Sequence, residues 1–246
     1  MKSLVDSVKH MAHKCRMQGN SIDFLDHSMQ NPLCQKLIKD MDSINLSQLG
    51  VTGTNQSDDP YHFKGQLNRV TISGNEDYRL VLFFIKKGTV MPLHDHPNMS
   101  VYFKLMFGKL NYVQYDKVEN KYKYNRFSND EYQELLETKT EIHAKKSEAK
   151  LVEGGKIMLV RPSCGNMHKF VAEEDSCFFD ICLPNYTNDS LRRITYFNEV
   201  EVLGCDKHDD CDTIIQYNTT PPVLPVGFDI HELDFQGEMK EQATFH

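Results

Sequence analysis

The stretch Gly88-Thr89-Val90-Met91-Pro92-Leu93-His94-Asp95-His96-Pro97 carries the reading of this chain. If His94 and His96 lie on a strand, the two-residue side-chain period puts both imidazoles on one face and turns Asp95 to the other. Two rings on one face are a bidentate clamp for a metal ion. The chain has 11 histidines, so an H-x-H can equally be a surface pair at a turn, and a second cluster is needed. Downstream, Gly154-Gly155 precede the apolar run Ile157-Met158-Leu159-Val160, which leads into Pro162-Ser163-Cys164-Gly165-Asn166-Met167-His168. A strand, a Pro/Gly turn and a histidine opening the next strand would aim His168 at the same interior. Three neutral imidazoles from two hairpins would make a facial metal site with open positions.

Outward from these clusters the chain reads as short strands punctuated by Gly74-Asn75, Gly88, Gly108 and Gly154-Gly155. Strands are expected near Leu67–Ser73, Tyr78–Lys86, Val101–Leu105, Lys109–Asp116, Lys156–Val160, Lys169–Val171, Cys177–Leu183 and Arg193–Val202. Many short strands with Gly-marked turns argue for a β-sandwich or barrel. Before them, Leu4, Val8, Met11 and Cys15, with Val5 and Ala12 beside them, form one apolar stripe at helical spacing. A second helix is expected from Asn31-Pro32, a cap followed by the position where proline suits a helix, with Leu33, Leu37, Ile38 and Met41 on its apolar face. The expected layout is a helical segment 1–52 packing on a barrel domain 53–246. Residues 117–150 hold 15 charged side chains, eight basic and seven acidic, and read as an exposed, solvated insertion. The polar stretch 204–246, with Pro221-Pro222 and Pro225, reads as an irregular tail. No internal repeat is visible.

Composition narrows the function. The 246 residues are 39% hydrophobic and 26% charged, so a globular chain is expected. A formal charge of -7 lacks the basic footprint of a phosphate-backbone binder and argues against nucleic acid. No apolar run approaches the ~18 residues of a membrane span, and MKSLVDSVKHMAHKC is too interrupted by charge to be an export signal. The seven cysteines are odd in number and form no C-x-x-C. They read as reduced thiols in the cytoplasm or nucleus rather than a disulfide framework.

The two histidine clusters resemble the cupin motifs. Gly88, His94, His96 and Gly108 fall at the spacing G-x5-H-x-H-x4-E-x6-G, and Gly155, Pro162, Gly165 and His168 match the second motif more loosely. The resemblance implies a mainly β fold, a double-stranded β-helix or jelly-roll barrel with N-terminal helices. The position of the motif's metal-binding Glu is Val101, which disfavours manganese oxalate-degrading and germin-like cupins and favours the three-histidine thiol dioxygenases. The runs Pro92-Leu93-His94-Asp95-His96-Pro97, Lys104 to Gly108, Gly165 to His168 and Phe179 to Tyr186 are similar to the 2-aminoethanethiol (cysteamine) dioxygenase and plant cysteine oxidase family, from about Asn31 to Gly227. Two positions depart from it: Asn98 stands where glycine is common, and Ile194-Thr195-Tyr196 lacks a cysteine that relatives carry two residues before the tyrosine.

By that resemblance His94, His96 and His168 hold Fe(II). Three neutral ligands leave the full metal charge for a substrate thiolate, with room for O2, and the expected product is a sulfinate. Asp180 is the candidate to bind the substrate ammonium group, the alternative being a strand-end carboxylate capping a turn. Tyr186 is the candidate to hydrogen-bond oxygen or substrate, the alternative being a loop tyrosine packed on the barrel. Asp95 is expected to be structural. The implied partners are O2 and either cysteamine or a protein N-terminal cysteine, whose oxidation marks a protein for arginylation and degradation; a monomer is expected. Other readings are a zinc or manganese isomerase and a non-catalytic, metal-stabilised regulatory cupin. Near iron and O2 the chain's own thiols are at risk, so Cys164, Cys177 and Cys182 are expected to be buried or turned away from the metal.

Overall fold

In the computed structural model, which describes residues 1–20, 24, 30–51, 65–117, 141–188, 192–200, 213–217 and 228–237, helix α1 (Lys2–Met17) buries Leu4, Val5, Ser7, Val8, Met11, Ala12 and Cys15 along one stripe. Helix α2 (Pro32–Asp42) starts as its residues dictate: Asn31 Oδ1 accepts the Leu33 N–H at 2.9 Å, and Pro32 takes the first turn, where its missing N–H costs nothing. Among the described residues no helix is long and apolar enough to cross a membrane.

Two sheets follow. One runs in the order β13 (Ile230–Leu233), β1 (Leu67–Gly74), β2 (Arg79–Ile85), β10 (Ser176–Leu183), β4 (Ser100–Phe107), β8 (Ile157–Val160). The other runs β11 (Phe197–Val200), β12 (Thr213–Tyr217), β6 (Glu141–Lys146), β5 (Lys109–Lys117), β9 (Met167–Ala172), β3 (Val90–Asp95), with β7 (Lys150–Glu153) also on β5. All pairings are antiparallel except β1 with β13. This mainly β, double-stranded β-helix architecture with two N-terminal helices is the one the cupin resemblance implied.

The first sheet is covered on both faces, which explains why β2, β4 and β10 read as nearly continuous apolar runs rather than alternating ones. Outward residues Leu80, Leu82, Phe84, Tyr102, Phe179 and Ile181 pack with the helices. Inward residues Phe103, Leu105 and Phe178 meet Leu110, Tyr112 and Phe170 of the second sheet. Lys104 points outward into the helical layer and is almost fully buried. Its Nζ donates to the carbonyls of Met41, Asp42 and Ile44 at 3.0, 2.7 and 3.2 Å, satisfying the orphan acceptors where α2 ends.

The structure adds five strands to those expected: β3, β6, β7, β12 and β13. The expected charged insertion therefore ends in sheet. In β6, Ile142 and Ala144 are fully buried between Glu141, Lys145 and Lys146. Two inward residues in a charged hexapeptide are too weak a periodicity to read. Residues 118–140 of that segment lie outside the described residues. The tail is likewise not wholly irregular, since β12 and β13 fall within it, and the rest of it, except 228–229 and 234–237, lies outside the described residues. The strand expected over 193–202 is shorter, with β11 spanning Phe197–Val200 and Tyr196 forming an isolated bridge with His94.

Candidate metal centre

Strands β3 and β9 are antiparallel neighbours, and the register sets His94 directly opposite His168. His96 follows β3 by one residue. Its backbone N–H donates to Asn166 Oδ1 at 3.3 Å, and Asn166 Nδ2 donates back to the His96 carbonyl at 2.7 Å. Between the two histidines Asp95 turns the other way, as the strand period requires, and its Oδ1 accepts the Thr195 N–H at 2.8 Å. The turn ahead of His168 is shaped by Gly165 at φ +65; a Cβ there would sit 2.2 Å from Gln114 Nε2. Asp116 Oδ1 accepts the Gly165 N–H at 2.6 Å. Asn98 takes φ 53, a left-handed conformation that asparagine tolerates.

The three rings converge. Their centroids lie 4.9 Å apart for His94–His96, 4.6 Å for His94–His168 and 4.6 Å for His96–His168. One ring nitrogen from each lies within 4.8 Å of the others, so the trio can hold a metal ion. The hydrogen bonds say which nitrogens are available. His94 Nδ1 donates to the Pro92 carbonyl at 2.7 Å, and His96 Nδ1 donates to the Asn166 carbonyl at 2.8 Å. A carbonyl only accepts, so both Nδ1 atoms carry the proton and both Nε2 atoms keep a lone pair. His168 Nδ1 lies 2.7 Å from the Tyr112 hydroxyl oxygen, which can accept its N–H, and in that tautomer Nε2 keeps its lone pair as well. Burial pushes the His94 imidazole down to about 4 and, with His94 beside it, the His96 imidazole down to about 3. Burial and its two neighbours hold His168 well below the usual range. All three are neutral at pH 7. Neutral imidazole without thiolate or carboxylate in the group suits a first-row divalent ion such as iron, so the donor set fits the metal the family implies.

These rings form one wall of a cavity of about 180 Å³, whose lining also includes Asp180 and Tyr186. The structure thus brings all five expected residues together. In β10 the inward positions are Phe178, Asp180 and Cys182, while Cys177 and Phe179 face the helices. Asp180 Oδ1 is shut off from solvent with no hydrogen-bond partner among the described residues, and burial raises the carboxyl well above its ordinary range. It does not cap a turn. The Tyr186 hydroxyl donates to the Asp95 carbonyl at 3.0 Å, and its ring lies 5.9 Å from that of His96. The cysteines divide. Cys177 is buried on the helical side, and Cys164 is exposed in the turn after β8. Cys182 is buried, as expected, although it lines the same cavity as the histidines; Cys164 is exposed rather than buried and does not line that cavity.

Sequence reasoning missed four contributors. Tyr112 and Asn166 orient ligands from β5 and from the turn before β9, and Asn166 at least lay inside a quoted motif. Arg69 and Arg79 line the cavity from β1 and β2, and no local pattern marks them.

A double-stranded β-helix whose interior presents three neutral imidazoles with their Nε2 atoms free defines a three-histidine cupin metal centre. The PCO_ADO family model matches residues 38–234, most of the chain, and the chain belongs to that family. It is 28% identical over 132 residues to a probable 2-aminoethanethiol dioxygenase of Dictyostelium discoideum, covering 53% of this chain and 55% of that protein. It is 27% identical over 136 residues to plant cysteine oxidase 1 of Arabidopsis thaliana, covering 55% of this chain and 42% of that protein. The chain thus spans about half the length of the curated relatives it matches. Among solved structures, KdgF from Halomonas sp. is 17% identical, covers 50% of this chain and 85% of that one, and has a TM-score of 0.34.

Proposed function

We propose that the chain is an iron-dependent thiol dioxygenase that converts an aminothiol, cysteamine or the N-terminal cysteine of a protein, to its sulfinic acid, RSH + O2 → RSO2H. Asp180 carries this reading: a buried carboxyl with an unpartnered oxygen shares a cavity with three metal-ready imidazoles. Membership of a family whose relatives include proteins named 2-aminoethanethiol dioxygenase and plant cysteine oxidase supports it. Fe(II), when held by the Nε2 atoms of His94, His96 and His168, supplies the redox chemistry that joins O2 to sulfur.

The chain's own residues bind and orient the substrate. Asp180 is neutral in the empty cavity because burial disfavours its charge. An amine arriving in its neutral form takes the Asp180 proton, and the resulting ammonium–carboxylate pair holds the substrate while the thiol is turned to the histidines. The Tyr186 hydrogen is spent on the Asp95 carbonyl, which leaves the oxygen lone pairs to accept a second ammonium N–H. Apolar side chains such as Val81, Met91 and Phe178 line the remaining wall and exclude water from the reacting sulfur. On a protein substrate the sulfinate would be a signal for arginylation and degradation, tying protein lifetime to oxygen. The five cysteines in no disulfide among the described residues support a reducing compartment, cytoplasm or nucleus.

The test is mass spectrometry after aerobic incubation of Fe(II)-loaded protein with cysteamine and, separately, with a Cys-initiated peptide. A gain of two oxygen atoms on either thiol is the expected result. Iron-loaded protein that leaves both unchanged, or stoichiometric zinc in the isolated protein with no O2 uptake, overturns the reading.

A further inference from the structure

Inward positions on β2 face those on β10 across the ladder: Val81 pairs with Asp180, and Arg79 pairs with Cys182. Arg79 is therefore one inward step from Asp180, about 6.6 Å along the strand. The step is electrostatically continuous. The Cys182 thiol is pushed up by burial and then by Asp180, and is pulled back by Arg79. Further round the wall stands Arg69 of β1, which already has a carboxylate partner in Glu232 of β13. Arg79 has none among the described residues; its one side-chain hydrogen bond there runs from Nη2 to Thr71 Oγ1 at 2.8 Å. Burial first, then the Arg69 charge, lowers its affinity for the proton, but a guanidinium stays charged at pH 7. A half-buried cation with five N–H donors, one of them used, thus lines the cavity beside the unpartnered acid.

We propose that Arg79 determines specificity by receiving an oxygen acceptor, a carboxylate or an acyl carbonyl, borne by the carbon next to the substrate's amine. The inference rests on the aminothiol reading of the site. With the thiol toward the histidines and the ammonium at Asp180, the remaining substituent of that carbon extends along the inward row to Arg79. Cysteamine carries only hydrogen there and uses two anchors. Free cysteine brings a carboxylate, which the guanidinium fork can grip in two places, and an N-terminal cysteine brings its peptide carbonyl. Selection works by difference: with cysteamine bound, the Arg79 donors not engaged by Thr71 meet no substrate acceptor.

The experiment compares wild type, Arg79→Gln and Arg79→Lys, all iron-loaded, on L-cysteine, a Cys-initiated peptide and cysteamine. It measures kcat/KM for each and, under anaerobic conditions, equilibrium binding of the same three by calorimetry. In Arg79→Gln the ratio of cysteinyl substrate to cysteamine falls ~10-fold or more, the loss expected for a charged hydrogen bond. Arg79→Lys, which keeps the charge without the fork, falls between. A larger fall for cysteine identifies the carboxylate as the ligand, and a larger fall for the peptide identifies the carbonyl. Because the three thiols share one active fraction, partial misfolding leaves the ratio untouched. A ratio unchanged in Arg79→Gln overturns the inference. If wild type oxidises none of the thiols, the dioxygenase reading fails by itself, and the binding ratio decides Arg79 by the same criterion. Wild type that binds none of the three overturns both.

Discussion

In the metal-free protein the three ligand histidines make the fold acid-labile by an amount that follows from their burial. His94 and His96 titrate at about 4 and about 3, and His168 well below its ordinary range, whereas each returns to about 6.5 in the unfolded chain. The folded state therefore binds fewer protons than the unfolded one below pH 6.5. The stabilisation is complete above that value and is lost as pH falls. Between pH 7 and pH 5 the unfolded chain gains about 0.7 proton per histidine while the buried His94 and His96 take up almost none. The loss is about 2 kcal/mol each for His94 and His96, about 4 kcal/mol for the two, with His168 acting in the same direction, against a typical total of about 5–15 kcal/mol. The perturbation is His94→Gln, and the assay is urea unfolding of chelator-treated wild type and variant at both pH values. Other titrating groups, including Asp180 with its opposite sign, are common to both proteins and cancel. Wild type should lose about 2 kcal/mol more than the variant between the two pH values. Equal losses would show that His94 is not held neutral by burial, and the argument for a ready Nε2 lone pair would fall with it.

Further expectations concern the groups around the centre. Asp180→Asn should lower kcat/KM for an aminothiol relative to an amine-free thiol by ~10-fold or more, read from parallel oxygen-uptake assays. The raised Asp180 carboxyl binds a proton more tightly folded than unfolded, so it costs stability as pH rises above about 4. Metal-free Asp180→Asn should accordingly gain on wild type by about 1.4 kcal/mol per pH unit until the folded carboxyl ionises, a trend visible in urea titrations at stepped pH. Tyr112→Phe removes the hydroxyl on His168 Nδ1 and should weaken metal binding ~10–100-fold in a competitive chelator titration, with the fold unchanged by circular dichroism. Lys104→Met strips three backbone carbonyls of their donor and should cost about 2–4 kcal/mol in urea unfolding, far more than an exposed lysine would.

The three histidines that converge were legible because the signals that mark them are local. H-x-H on a strand needs only the two-residue period, and His168 needs only the turn that precedes it. Asn31-Pro32 and the stripe from Leu4 to Cys15 announced the helices for the same reason, since caps and 3.6-residue spacing act within a few turns. The strands β6, β12 and β13 escaped because each offers few inward residues, and what makes them strands is a partner far along the chain.

Spacing and residue type were enough to read a β-rich domain, two histidine clusters and the absence of a carboxylate at Val101, because each is a local signal; the cupin barrel came from the resemblance those clusters carry. The tertiary structure alone decided what surrounds that centre. Tyr112 reaches His168 because β5 lies beside β9, and Arg79 stands one step from Asp180 because β2 pairs with β10 in one register. A shift of one residue would turn Arg79 and Asp180 to opposite faces, and no stretch of either strand read alone says which register is adopted. Cys182 shows the same limit. Its alternation within β10 places it on the same face as Asp180, but only the ladder reveals that Arg79 stands opposite it.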